Sequence, residues 1–282
     1  MNTVYLEYTQ QELDRAYQQS DWAPSMDQTL AEYGSISEAQ RKETPPEVLG
    51  YATDEMGDMD LFMGDAPGPL IYFIHGGAWK TGDRSLYSFL AKNLDHINCP
   101  LAVPDFPKIQ SIGLPGIVDR VATALRTLLT VRPDYQQRGL ILAGHSSGAH
   151  LAACLATGAG GTDIAHQTTG CLLVSGIYDM EPVLISSRRS YVDITSNEAR
   201  KLSPIHHSDG LNGTNLTLAY GAHESPEFIR QAEAFGKTLI DNGKAARTLH
   251  IRGHDHFSIL LDSLSPDGFF WRALSELIHD HP

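Results

Sequence analysis

The chain has 282 residues, 41% of them hydrophobic, enough for one large core, and a formal net charge of −13. That charge repels phosphate backbones and anionic bilayers, which excludes nucleic acid and a membrane as partners and favours a small-molecule substrate. No run reaches the roughly 18 apolar residues of a spanning helix, the start of the chain is polar and unlike a signal peptide, and three cysteines lack CxxC spacing, so a cytoplasmic protein with buried thiols is expected.

Residues 1–45 are polar and helix-prone, with Tyr17, Trp22 and a few other large side chains too sparse for a core of their own. They are expected to form an arm that packs on the main domain. From residue 69 onward short apolar runs alternate with helical stretches, the pattern of a mostly parallel sheet covered on both faces. The runs are 70–74, 101–103, 140–143, 171–174, 216–220 and 248–251. Helices are predicted over 86–94, 116–130, 147–157, 226–242 and about 269–278. The segment 180–208 is rich in Ser, Arg and Asn and breaks this rhythm after the fourth run, as a lid inserted near the carboxyl ends of the strands would. The whole reads as a single domain of α/β class.

The first glycine-rich loop follows the run 70–74 as His75-Gly76-Gly77-Ala78-Trp79. Glycines just past a strand let backbone N–H groups face open space, where a tetrahedral oxyanion would sit. Gly76 and Gly77, with Ser147, are the expected oxyanion donors. His75 would brace the loop, and Trp79 would either wall an acyl pocket or pack in the core.

After the run 140–143 comes Gly144-His145-Ser146-Ser147-Gly148, leading into a helix of small residues. A G-x-S-x-G pentapeptide is common by chance, but between a strand and a helix it forms a sharp turn that lifts the central serine above the sheet. Ser146 is the candidate nucleophile. The helix N-terminus behind it favours a developing negative charge. His145 and His150 lie too close along the chain to serve as its base and are expected to pack around the site.

On such a scaffold the acid and the base follow later strands, in that order. The run 216–220 leads into Gly221-Ala222-His223-Glu224-Ser225-Pro226-Glu227, and the run 248–251 into Gly253-His254-Asp255-His256-Phe257. His256, at the far end of its loop, is the expected base, with His254 as its rival. Glu224 is the expected acid, with Asp179 as its rival and Glu227 opening the next helix. Histidines 254, 256, 206 and 207 with Asp255 also suggest a metal site, but that reading leaves the elbow and the glycine loop unexplained, so no metal and no cofactor are expected.

Together the HGG-x-W element at 75–79, the elbow with its helix, Ser175-Gly176-Ile177-Tyr178-Asp179-Met180-Glu181-Pro182, Ser225-Pro226-Glu227-Phe228 and His254-Asp255-His256-Phe257 resemble kynurenine formamidase-like enzymes. These belong to the hormone-sensitive-lipase-like branch of the α/β hydrolases, and the resemblance runs from about residue 10 to the end. It implies the α/β-hydrolase fold and a triad of Ser146, Glu224 and His256. It also implies cofactor-free hydrolysis of a small amide, often an N-formyl group. Two departures stand out: relatives usually carry aspartate where this chain has Glu224, and Pro104-Asp105-Phe106-Pro107-Lys108 replaces a tyrosine-arginine type loop beside the pocket.

The leading expectation is therefore a formamidase-like amidase working through an acyl-enzyme. A short-chain carboxylesterase is the alternative, because both reactions share the tetrahedral intermediate. A non-catalytic protein of this fold is a third reading. Trp79, Tyr17 and Trp22 are the expected substrate-contacting residues of a small pocket, and a homodimer is left open.

Overall fold

The computed structural model describes residues 2–161 and 163–279. Eight strands form one sheet in the order β1-β2-β4-β3-β5-β6-β7-β8. They are β1 Glu47–Gly50, β2 Asp58–Phe62, β3 Leu70–Ile74, β4 Leu101–Pro104, β5 Leu140–His145, β6 Thr168–Val174, β7 Asn215–Gly221 and β8 Ala246–Ile251. The pairs β1/β2 and β2/β4 are antiparallel and the others parallel. The six strands expected from the sequence are all present. The two antiparallel strands were not expected, because their sequence does not read as a buried run: β2 carries Asp60 in a fully buried position. Arg41 Nη1 bonds its carboxylate, and Arg84 Nε does so at 2.9 Å, which offsets the desolvation of that charge.

The helices are α1 Gln10–Ala16, α2 Met26–Glu43, α3 Ile109–Val131, α4 Tyr135–Arg138, α5 Ser147–Thr157, α6 Glu181–Ile185, α7 Ser196–Lys201, α8 Pro226–Asp241 and α9 Phe269–His279. The expected helix over 86–94 is instead a 3-10 segment, Arg84–His96, interrupted at Asn93. Helix α3 starts earlier than its apolar periodicity suggests, because Gly113, at φ 68°, joins a leading turn to the main run.

Two cores follow from the period-two alternation of the strands. In β3, Leu70, Tyr72 and Ile74 enter one core with residues of α3, α5 and α8. Ile71 and Phe73 enter the other, with residues of α9 and the 84–96 segment. The N-terminal arm is more deeply embedded than expected: Leu13 and Tyr17 join the first core, and Tyr33 of α2 joins the second. Cys99, Cys154 and Cys171 are buried and not joined in disulfides. Among the described residues no helix is long and apolar enough to cross a membrane. This is the α/β-hydrolase fold, with the carboxyl ends of β3 and β5 to β8 along one edge, where such sheets bind their ligands.

Candidate active site

At the end of β5 the chain turns into α5 through Ser146, whose φ of 55° and ψ of −122° are strained for a residue with a Cβ. The turn holds because its N–H donates to Val174 O at 2.9 Å, extending the β5/β6 pairing by one residue. Both flanking glycines are sterically required. A Cβ on Gly144 would lie 2.5 Å from Gly148 O, and one on Gly148 would lie 2.0 Å from Ile74 O. Sequence and geometry agree on the nucleophile elbow.

Ser146 Oγ and His256 Nε2 are 2.9 Å apart, and His256 Nδ1 and Glu224 Oε2 are also 2.9 Å apart. The imidazole is thus held between hydroxyl and carboxylate, as a nucleophile-base-acid relay requires. The other oxygen of Glu224 accepts hydrogen bonds from Gly221 N at 2.7 Å and Ser175 Oγ at 2.5 Å. These donors hold a carboxylate that is almost fully buried. Both escaped the sequence reading, although Ser175-Gly176 follows a strand; its serine takes a φ of 55°, which the sequence does not announce. Asp179 is excluded as the acid: its Oδ2 accepts from Tyr5 Oη at 3.1 Å, and Gln231 binds its backbone. Glu227 opens α8 as a first-turn charge, as expected, and is also a buried partner of Arg230 at 2.7 Å. The enzyme is a serine hydrolase built on the triad Ser146, His256 and Glu224.

The loop 75–79 departs from expectation at one donor. Gly76 N–H is already given to Tyr87 Oη, at 3.2 Å. Gly77, Ala78 and Trp79 all take positive φ, and Gly77, Ala78 and Ser147 line or adjoin the nucleophile with backbone N–H groups that have no acceptor among the described residues. Ala78 escaped the sequence reading because a non-glycine residue gives no sign of a left-handed backbone. His75 braces the loop from below as expected: it stacks on Phe106 with centroids 4.3 Å apart, and Nδ1 lies 2.8 Å from Gly76 O. Burial lowers its pKa, so it serves as a neutral ring.

A cavity of about 670 Å³ opens above Ser146 and His256. Tyr17 lines it, with Ser187, Arg188 and Tyr191 of the segment 180–208. Trp79 does not line it. Its side chain is fully buried, edge-on to His150 with centroids 5.3 Å apart, because the positive φ of the preceding turn aims it into the core. Trp22 lies elsewhere too, in a separate groove with Glu12 and Arg15, where its Nε1 donates to Arg15 O at 3.1 Å. Among the described residues no three His, Cys, Asp or Glu side chains gather as a metal site.

The BD-FAE family model matches residues 59–217, which include the glycine loop and the elbow but not Glu224 or His256. Kynurenine formamidase of Danio rerio is 30% identical over 95% of this chain and 96% of its own length. That of Drosophila melanogaster is 23% identical over 74% of this chain and 73% of its own. Among solved structures, a protein of Silicibacter sp. described as a thioesterase superposes with a TM-score of 0.82 at 21% identity, covering 95% of this chain and 99% of that one. Esterase B from Lactobacillus rhamnosis does so with 0.69 at 18%, covering 92% and 95%. At these identities the structures speak for the fold alone.

Proposed function

This chain belongs to the BD-FAE family of the α/β-hydrolase superfamily and is a distant relative of the kynurenine formamidases, and we propose that it hydrolyses small esters, as a short-chain carboxylesterase. The observation that carries the reading is the continuous path from Glu224 through His256 to Ser146 at the floor of an open cavity.

Ser146 Oγ attacks the carbonyl carbon while its proton passes to His256 Nε2, and Glu224 stabilises the imidazolium. The oxyanion is received by the N–H groups of Gly77, Ala78 and Ser147. Collapse expels the alcohol with the proton from His256. Water then attacks the acyl-enzyme by the same steps, releasing the acid and restoring Ser146. An alcohol leaves more readily than an amine, so an ester asks less of this apparatus than an amide does. Esterases are among the proteins that share this fold, and the formamidases match at only 29–30% identity, so neither comparison outweighs that chemical argument. A second reading, hydrolysis of an N-formyl amide in the kynurenine-formamidase-like branch, is favoured by the match to the Danio rerio enzyme along nearly its whole length.

Turnover of 4-nitrophenyl formate and 4-nitroformanilide, which differ only in the scissile atom, separates the two. A clear preference for the ester relative to its spontaneous hydrolysis supports the carboxylesterase. An amide rate equal to or above it moves the enzyme to the second reading. Failure on both substrates, with no labelling of Ser146 by a fluorophosphonate, overturns the two together.

A further inference from the structure

The cavity wall runs against the charge of the whole molecule. The chain carries a net charge of −13, yet the residues lining the cavity include Lys80 and Arg188 and no aspartate or glutamate. Arg188 is the unusual one. It is only 7% exposed and makes no ion pair among the described residues, whereas buried cations are normally paired. Its Nη2 donates to Tyr17 O at 3.1 Å, but Nη1 is buried with no acceptor. The guanidinium lies against two rings instead, 5.1 Å from the centroid of Tyr17 and 5.7 Å from that of Phe228. Phe228 in turn packs edge-on against His256, with centroids 4.8 Å apart. One aromatic ring therefore separates this unpaired cation from the catalytic imidazole.

Gln19 lines the same cavity, 9% exposed, and neither its Oε1 nor its Nε2 has a partner. A buried amide and a buried guanidinium, both unsatisfied on the wall of one cavity, cost free energy unless something completes their hydrogen bonds. A carboxylate supplies the missing acceptor for the donors of both, since a guanidinium offers it two parallel N–H groups and the Gln19 amide nitrogen one more, with Gln19 Oε1 left to a donor elsewhere on the ligand or to water.

We propose that Arg188 and Gln19 form a carboxylate subsite, so that the preferred substrate is a small ester bearing an anionic group about one ring's width from the scissile bond. The inference rests on the carboxylesterase reading for its reaction, but not for its binding chemistry. It also gives the insertion 180–208 a role, because that segment brings Arg188 to the cavity and fastens it to the arm through Tyr17.

Two measurements test it. Binding of benzoate and of its neutral isostere benzamide to the wild-type protein, followed by calorimetry, reads the subsite whether or not any ester is turned over. Benzoate should bind about tenfold more tightly or better. Turnover of 4-acetoxybenzoate against 4-acetoxybenzamide reads it in catalysis. The acid should be preferred mainly through KM, and Arg188→Gln should bring the ratio of kcat/KM close to one, while Arg188→Lys retains part of it. Equal binding of benzoate and benzamide by the wild type overturns the subsite even if Arg188→Gln fails to fold. So does a carboxylate preference that survives Arg188→Gln. Tight benzoate binding without turnover of either ester would leave the subsite standing and overturn the carboxylesterase reading instead.

Discussion

His145, the residue preceding the nucleophile, donates its Nε2–H to the backbone carbonyl of His256 at 2.7 Å. The elbow and the base loop are thereby tied together behind the triad. The tie is made by a ring that stays neutral near pH 7. Burial first, and then the nearby His256, depress the pKa of His145 to about 3, and burial depresses that of His150 to about 4.

These values predict acid sensitivity. The folded pKa lies below the ordinary 6.5, so the unfolded chain takes up protons that the native state refuses. Stability should hold above about pH 6.5 and fall as pH drops toward 4, by roughly 2 kcal/mol per buried imidazole at pH 5. Urea unfolding from pH 7.5 to 4.5 measures the slope, which His150→Gln should make shallower whatever it does to the absolute level. Parallel profiles for wild type and variant would contradict the assignment.

Ser146→Ala should fold and lose about three to six orders of magnitude in kcat, because among the described residues Ser146 carries the one hydroxyl that hydrogen-bonds His256 Nε2. Intact mass after fluorophosphonate treatment should show one adduct on the wild type and none on the variant. An adduct on Ser146→Ala would move the nucleophile elsewhere.

Glu224→Gln should lower kcat by about two to four orders of magnitude, since the amide no longer stabilises the imidazolium. Ser175→Ala removes one of the two donors on Glu224 Oε1 and should cost about tenfold. Asp179→Asn, which touches Tyr5 instead of His256, should keep most activity. A kinetic ranking with Asp179 above Glu224 is the result to look for against this triad.

What the sequence disclosed is governed by how local the physics is. The elbow was legible because Gly144 and Gly148 answer to clashes within a few residues, and β3 because its five buried residues are all apolar. The β2 strand was not, since Asp60 is tolerated there only by arginines distant in sequence. Gly76 was misread for the same reason: its donor is consumed by Tyr87, which no spacing rule brings near. The unpaired state of Arg188 is likewise visible only once the insertion, the arm and α8 are packed together.

Trp79 is the sharpest case for experiment, because its two readings make opposite predictions. As a pocket wall, truncation would widen the acyl site and flatten any preference for short acyl groups while leaving the fold intact. The structure instead buries the ring completely, edge-on to His150, with its own carbonyl accepting from Ile109 N at 2.8 Å at the start of α3. Removing it would open a void that the surrounding helices cannot collapse into. Trp79→Ala should therefore cost about 3 to 5 kcal/mol of stability. At a temperature where the variant remains folded, its kcat/KM for acetyl, butyryl and octanoyl 4-nitrophenyl esters should fall in parallel with the wild type, because the cavity wall is made by Tyr17, Tyr191 and their neighbours. Tyr191→Ala should change that profile at little cost in stability, since Tyr191 is only partly buried and its ring lies under Lys80, with the ammonium 4.4 Å from the centroid. A Trp79→Ala protein of unchanged stability but flattened chain-length profile would return the tryptophan to the pocket.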